Sequence, residues 1–200
     1  MESILLTTLL HVLLTPIPLA AEAPSLPLVS WEEYTARPDL ALGALRRMVV
    51  QYAAPIEQWE PYLTRYSPEA YVSLRAWSDS QEPWMRADYD APAARLFVRR
   101  GTRAATLVQS LERHDRIVVA CVVHDQFLGR AWVEVVSARR MRQYVPEGSV
   151  LHAVKGLEFL DRGVLDLARD QFERALAAPL PSHAREALAR LVGRCEISKH

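Results

Sequence analysis

The sequence is short of cysteine, glycine, lysine and net charge, and each shortage narrows what the chain can be. Its two cysteines, Cys121 and Cys195, are too few for a disulfide scaffold and lack the CxxC spacing of a zinc site. The first lies inside an apolar run and the second among the last, frayed residues, so no native disulfide is expected. Seven glycines in 200 residues form no GxGxxG dinucleotide turn and no GxxxxGK phosphate loop, and the GxSxG nucleophile elbow is missing too. Lysine plus arginine equals aspartate plus glutamate, at 24 each, so no global field draws in nucleic acid or an anionic bilayer.

The histidines, His11, His114, His124, His152, His183 and His200, never fall at HExxH spacing. His114 and His124 flank one strand and would stand about 33 Å apart along extended chain, too far to share a metal. The acid pairs Glu32–Glu33 and Asp88–Asp90 sit in polar stretches and read as solvated carboxylates. No catalytic residue can be nominated, and no cofactor or metal is expected.

Half the residues are hydrophobic, enough for a real core in one domain or two small ones. The first residues, MESILLTTLLHVLLTPIPLAAEAPS, have an apolar run from Ile4 to Leu14, prolines at 16 and 18, and small residues from Ala20 to Ala23. That is the shape of an export signal spanning 1–23, cleaved after Ala21 or Ala23. Glu2 stands where such signals carry a basic residue; an uncleaved anchor and a cytosolic tail are the alternatives. A helix from Ser3 to Thr15 would be about 20 Å long, short of the roughly 30 Å hydrocarbon core. The mature chain is then periplasmic or extracellular with no membrane span, and 24–42 is a lead-in that starts with a flexible Pro24–Ser30.

Between 43 and 142 the pattern alternates. Ala44–Tyr52 puts Met48, Val50 and Tyr52 on one face. Tyr71–Ser78 turns Val72, Leu74 and Ala76 inward and Tyr71, Ser73, Arg75 and Trp77 outward; Ala94–Arg100 turns Leu96 and Val98 inward and Arg95, Phe97 and Arg99 outward. Gly101 breaks that strand, and Thr102 caps a helix through Ala104, Leu107, Val108 and Leu111. Arg116–Val123 is a nearly continuous apolar strand, and after a turn at Gly129 the fifth strand runs from Ala131 to Ala138.

Three strands, a helix and two strands, with the ArgIleValValAlaCysValVal strand after a polar turn, resemble the OB-fold, a five-stranded Greek-key barrel with a helix between its third and fourth strands. The expected class is α+β: an OB-like barrel followed by a helical tail. Another small barrel or an α+β sandwich also fits the order of elements.

Pro146 and Gly148 close the barrel, and Ser149 is placed to cap the next helix. From 149 to 193 the tail is similar to one tetratricopeptide repeat with a capping helix: Gly156, Phe159, Ala168, Phe172 and Ala175 fall at that family's spacings, with Gly163 near the turn, although its early tryptophan is absent. A single repeat leaves apolar surface uncovered, so it must dock on the barrel, on Ser182–Val192, or on another chain, as partner or self-association.

The constellation with most chemical content is the outward face of the second and third strands: Tyr71, Arg75 and Trp77 beside Arg95, Phe97 and Arg99, bordered by Trp59, Tyr62 and Tyr66 in the first connection and by Gln126 and Phe127 in the fourth loop. The OB resemblance makes this the ligand platform, rings for stacking and guanidiniums for anions. The competing reading is that the tail covers the same rings. Arg139, Arg140 and Arg142 are expected to pair with acids of the tail. The sequence thus suggests an exported, non-catalytic binding or interaction protein taking an anionic or polymeric ligand or a protein partner. Single-stranded nucleic-acid binding, against which export and neutral charge both count, and an accessory subunit of an exported enzyme are the alternatives.

Overall fold

The computed structural model describes residues 26–36, 42–57, 66–127 and 130–197, without the side chains of 125–127, 130 and 197. Residues 1–23, where an export signal is expected, Trp59, Tyr62 and the side chains of Gln126 and Phe127 lie outside the described residues.

Five strands, β1 (Leu45–Pro55), β2 (Tyr71–Ser78), β3 (Ala94–Arg99), β4 (Arg116–Phe127) and β5 (Arg130–Arg140), close into a barrel in the order β1-β2-β3-β5-β4, with β4 returning to β1. All pairings are antiparallel except β3 with β5. Side chains of alternate residues fill the interior: Met48, Val50, Leu74, Ala76, Leu96, Val98, Ile117, Val119 and Val133 are fully buried there. At about 1.5–3 kcal/mol for each large side chain withdrawn from water, this core is what closes the sheet.

The helix between the third and fourth strands, Arg103–Gln109, is where the sequence puts it. Thr102 caps it, its Oγ1 accepting from the Ala105 N–H at 3.2 Å, and Gly101 supplies the left-handed φ of 77° that the turn from β3 demands. It is the third helix of the described chain. A short first helix, α1 (Trp31–Ala36), lies in the segment expected to be a lead-in. Ser30 and Glu33 cap each other reciprocally, Glu33 N–H to Ser30 Oγ at 3.0 Å and Ser30 N–H to the Glu33 carboxylate at 2.9 Å, and Trp31 and Tyr34 join the barrel core. Of the residues that precede α1, those around Leu28 pair with β1 at Arg47. The Val29 N–H donates to Arg47 O and the Arg47 N–H to Pro27 O, extending the edge of β1. The second helix, α2 (Arg86–Asp90), lies in the β2–β3 connection.

Three helices come after the barrel: α4 (Glu147–Asp161), α5 (Leu165–Leu176) and α6 (Ser182–Ile197), the helix capped by Thr102 being α3. α4 starts two residues before the anticipated Ser149 cap; Pro146 occupies the cap position and fixes φ at −70° without a side-chain bond. Gly163 ends it in the left-handed region, φ 73°, so that its own N–H reaches Leu160 O and the Val164 N–H reaches Phe159 O. α4 and α5 form a hairpin around Ala153, Gly156, Ala168, Phe172 and Ala175, and α6 covers it with Ala184, Ala187, Leu188 and Cys195. Cys195 is therefore a core residue and not part of a frayed end. Both cysteines are free and buried.

The tail also docks on the barrel. Trp84, from the loop after β2, and Val145 belong to its apolar cluster, and the buried Gln51 of β1 holds Val145 like a strand partner, Nε2 donating to its carbonyl at 3.0 Å and Oε1 accepting its N–H at 3.2 Å. His183 of α6 comes within 3.9 Å of Asp79. Among the described residues, no helix is long and apolar enough to cross a membrane.

Candidate functional site

The outward face of β2 and β3 divides into three parts. In the first, Tyr71 and Phe97 are buried, and what covers them is the barrel's own Tyr66 and Trp132, not the tail. Tyr66 stacks on Phe97 at 4.4 Å and 10°, Trp132 stacks on Phe97 at 5.4 Å, and Tyr71 meets Tyr66 edge-on at 4.8 Å. Arg99 lies over the Tyr71 ring at 5.7 Å, donates to its hydroxyl at 3.2 Å, and reaches Glu134 at 3.8 Å; Glu134 also pairs with His124 at 3.0 Å.

The second part surrounds Trp77, which is 1% exposed. His114 and Tyr89 lie against its ring, Arg113 sits 5.8 Å above its centre, and its Nε1–H donates to Asp88 O. Neither aromatic block offers an open stacking face, since the ring faces are already spent on intramolecular packing.

The third part is open. Arg75 and Arg95 are direct register partners across the β2–β3 pair, which brings their Cβ atoms to about 4.5–5.5 Å and sets like charges opposite each other. They line a cavity of about 480 Å³ together with Trp31 and Thr35 of α1, Asp90 at the end of α2 and Ala91 to Ala93 after it, and Ala131 and Trp132 of β5. Trp132 also carries a buried Nε1–H with no hydrogen-bond acceptor. A pocket of this size, walled by rings with a few convergent polar groups, has the dimensions of a small-ligand site.

Of the eight residues singled out from sequence, then, Arg75 and Arg95 share one cavity, Tyr71, Phe97 and Arg99 form a packed block beside it, Trp77 belongs to a separate block, and the Trp59 residue and the Phe127 side chain are outside the described residues. Sequence reasoning does not find Trp31, Asp90 and Trp132 as walls of the cavity. The signal for Trp132 is present: with Ala131, Val133 and Val135 alternating inward, Trp132 and Glu134 must share the outer face with Phe97. Arg140 pairs with Asp115 at 3.1 Å and donates to Ser110 O, both on the barrel, and not with the tail. Among the described residues no three His, Cys, Asp or Glu side chains converge as metal ligands would. No protein-family model matches the chain, and no curated protein shows significant similarity to it, so the chemistry of the site rests on its own residues.

Proposed function

We propose that the chain is an exported, non-catalytic binding protein, in which an OB-like barrel holds an anionic ligand at the Arg75–Arg95 cavity and a tetratricopeptide-like hairpin serves as the docking element. The strand order and the helix between β3 and β4 support the OB-like reading, and in that fold the face of the second and third strands is the customary ligand platform; this step is an analogy of architecture. The observation that carries the proposal is that Arg75 and Arg95, register partners across β2 and β3, both line one cavity. Two arginine side chains at one cavity offer an anion charge-assisted hydrogen bonds. The close approach of α4 and α5 at Gly156 supports the repeat-like reading, and the apolar segment before Ala23 supports export. Burial of Tyr71, Trp77 and Phe97 counts against base stacking by single-stranded nucleic acid.

Backbone amide NMR of the full chain with a panel of small anions and neutral controls tests this. Shift changes that saturate and centre on Arg75, Asp90–Ala93, Arg95 and Trp132 are the expected result. Saturable changes centred elsewhere, or none with any anion, reject the cavity as the site.

A further inference from the structure

We infer that a second cavity, where α4 meets the β2–β3 connection, binds a small neutral molecule that carries a carbonyl oxygen, with the ring N–H of His114 as its hydrogen-bond donor. The cavity measures about 240 Å³ and shares no lining residue with the Arg75–Arg95 cavity, so the two readings stand or fall separately. Pro83 and Trp84 wall it from the loop after β2, Tyr89 from α2, and Val150, Leu151 and Val154 from α4. With Glu147, the last three recur at i, i+3, i+4 and i+7, one face of the helix, and Leu151 remains 56% exposed on that face. A volume near this holds a single ring, since a dry apolar cavity of about 150 Å³ already takes benzene.

The donor is fixed by its neighbours. Val145 orients the Gln51 amide, its N–H donating to Oε1 at 3.2 Å and its carbonyl accepting from Nε2 at 3.0 Å. The same Nε2 lies 3.3 Å from His114 Nδ1, so Nδ1 must accept. A neutral imidazole then carries its one proton on Nε2, and that N–H has no acceptor among the described residues. His114 is 2% exposed and lines the cavity. Trp77 takes one face of its ring and Gln51 takes the Nδ1 edge, which leaves the Nε2–H edge for the cavity. A buried donor left unmet is costly, and a ligand oxygen that meets it recovers the cost. Burial keeps the ring neutral by lowering its pKa below the ordinary 6.5, Arg113 acting in the same direction and Glu147 against it. One neutral N–H does not repay the desolvation of a carboxylate, and the Glu147 carboxylate on the wall repels one. Arg86, the cation of the lining, is 94% exposed and held by Asp90 at 3.5 Å.

The test is an amide NMR titration of the full chain at pH 7.5 with acetophenone, with α-methylstyrene, which has the same shape but a methylene in place of the carbonyl oxygen, and with sodium benzoate. Acetophenone gives saturable shifts centred on Trp84, Tyr89, His114 and Val150–Val154, and binds at least as tightly as α-methylstyrene, although the alkene is the more hydrophobic and a cavity without a donor would hold it better. Benzoate binds about ten-fold more weakly than acetophenone. His114→Asn weakens acetophenone about ten-fold and leaves α-methylstyrene unchanged, whereas Leu151→Gln, at an exposed position, weakens both. Tighter binding of the alkene in the unaltered chain overturns the role of His114 whatever the variants do, and tighter binding of benzoate overturns the neutral ligand class. Shifts centred on Arg75 and Arg95, or no saturable shift with any of the three, reject the cavity as a site.

Discussion

The imidazole of His114 lies 5.2 Å from the Trp77 ring and 14° from parallel to it, and it does so with a left-handed backbone, φ 76°. Histidine is among the few residues besides glycine that tolerate that region. Its Nδ1 is 3.3 Å from Gln51 Nε2, the same amide that donates to Val145 O. A neutral ring accepts there; a protonated one would set N–H against N–H.

That arrangement makes the junction between barrel and tail acid-sensitive. Burial lowers the His114 pKa below its ordinary 6.5, the positive charge of Arg113 lowers it further, and Glu147 opposes both. His183, across the junction, is also lowered, again chiefly by burial, with Asp79, Glu186 and Glu82 opposing and Arg116 assisting. Both groups bind protons more readily when unfolded, so the stability they contribute is whole above about pH 6.5 and is lost as pH falls through their folded values. The urea midpoint is expected to drop between pH 7.5 and pH 5, and the drop to shrink in His114→Asn, which keeps tolerance of the left-handed region while removing the titrating group. An equal drop in that variant would assign the acid sensitivity elsewhere.

Arg116 and Asp79 form the main charged contact beneath the tail. The guanidinium is buried and donates from Nε to Asp79 Oδ1 at 2.9 Å, while NH1 reaches Gln143 O; the aspartate side chain remains 37% exposed. Breaking one side of a fully buried pair costs about 3–5 kcal/mol and an exposed one about 0–1, so Asp79→Ala should cost about 2 kcal/mol. Most of that loss is the stranded guanidinium. Adding Arg116→Met to Asp79→Ala should therefore recover part of it in urea denaturation, and simple additivity of the two substitutions would show that the pair is not coupled.

The barrel is legible because its interior obeys a two-residue period: alternation marks Tyr71–Ser78 to the residue, and Thr102 announces its helix. β4 and β5 run beyond the ends that the apolar pattern suggests, because the backbone ladder continues through Gln126↔Ala131 and Phe127↔Arg130 past the last residues of the apolar run. The site is half legible. Arg75 and Arg95 can be placed on one face from alternation alone, but whether the neighbouring rings are bare depends on Tyr66, Tyr89, His114 and Trp132, which approach from four different segments. Periodicity carries no information about such long-range closures. α1 is legible in principle, since SerTrpGluGlu is a capping box, yet its polar appearance hides a Trp and a Tyr that enter the core.

The same packing fixes the behaviour of the rings on the platform. Phe97 is 1% exposed between Tyr66 and Trp132, so Phe97→Ala should cost about 3–5 kcal/mol and lower the thermal midpoint accordingly. A ring held in reserve for a ligand would behave differently, its loss leaving the midpoint nearly unchanged.

Both thiols are buried in the folded chain. Burial pushes Cys121 up to about 12, and Cys195, 1% exposed inside the tail, is also raised chiefly by burial. Since the thiolate is the nucleophile, Ellman's reagent at pH 8 should titrate almost no sulfur in the native protein and both cysteines after denaturation. Rapid reaction of one thiol under native conditions would mean that the tail opens, Cys195 being the one within its cluster.

The contact between α4 and α5 gives a paired test with opposite signs. A Cβ added to Gly156 would lie 2.5 Å from Phe172 Cε1 and 2.6 Å from Cδ1, whereas one added to Gly193 in α6 would meet nothing within 4 Å. Alanine is the better helix former by about 1 kcal/mol at either place. At Gly193 that gain is unopposed, and Gly193→Ala should raise the thermal midpoint by about 2–4 °C per kcal/mol. At Gly156 it must be set against overpacking of about 1–3 kcal/mol, at the upper end here because Phe172 is fully buried and has no room to swing away. Gly156→Ala should therefore lower the midpoint. If Phe172→Leu, which shortens the ring that blocks the Cβ, is combined with Gly156→Ala, the pair should lose less than the sum of the two single substitutions; strict additivity would mean that the ring and the glycine do not meet.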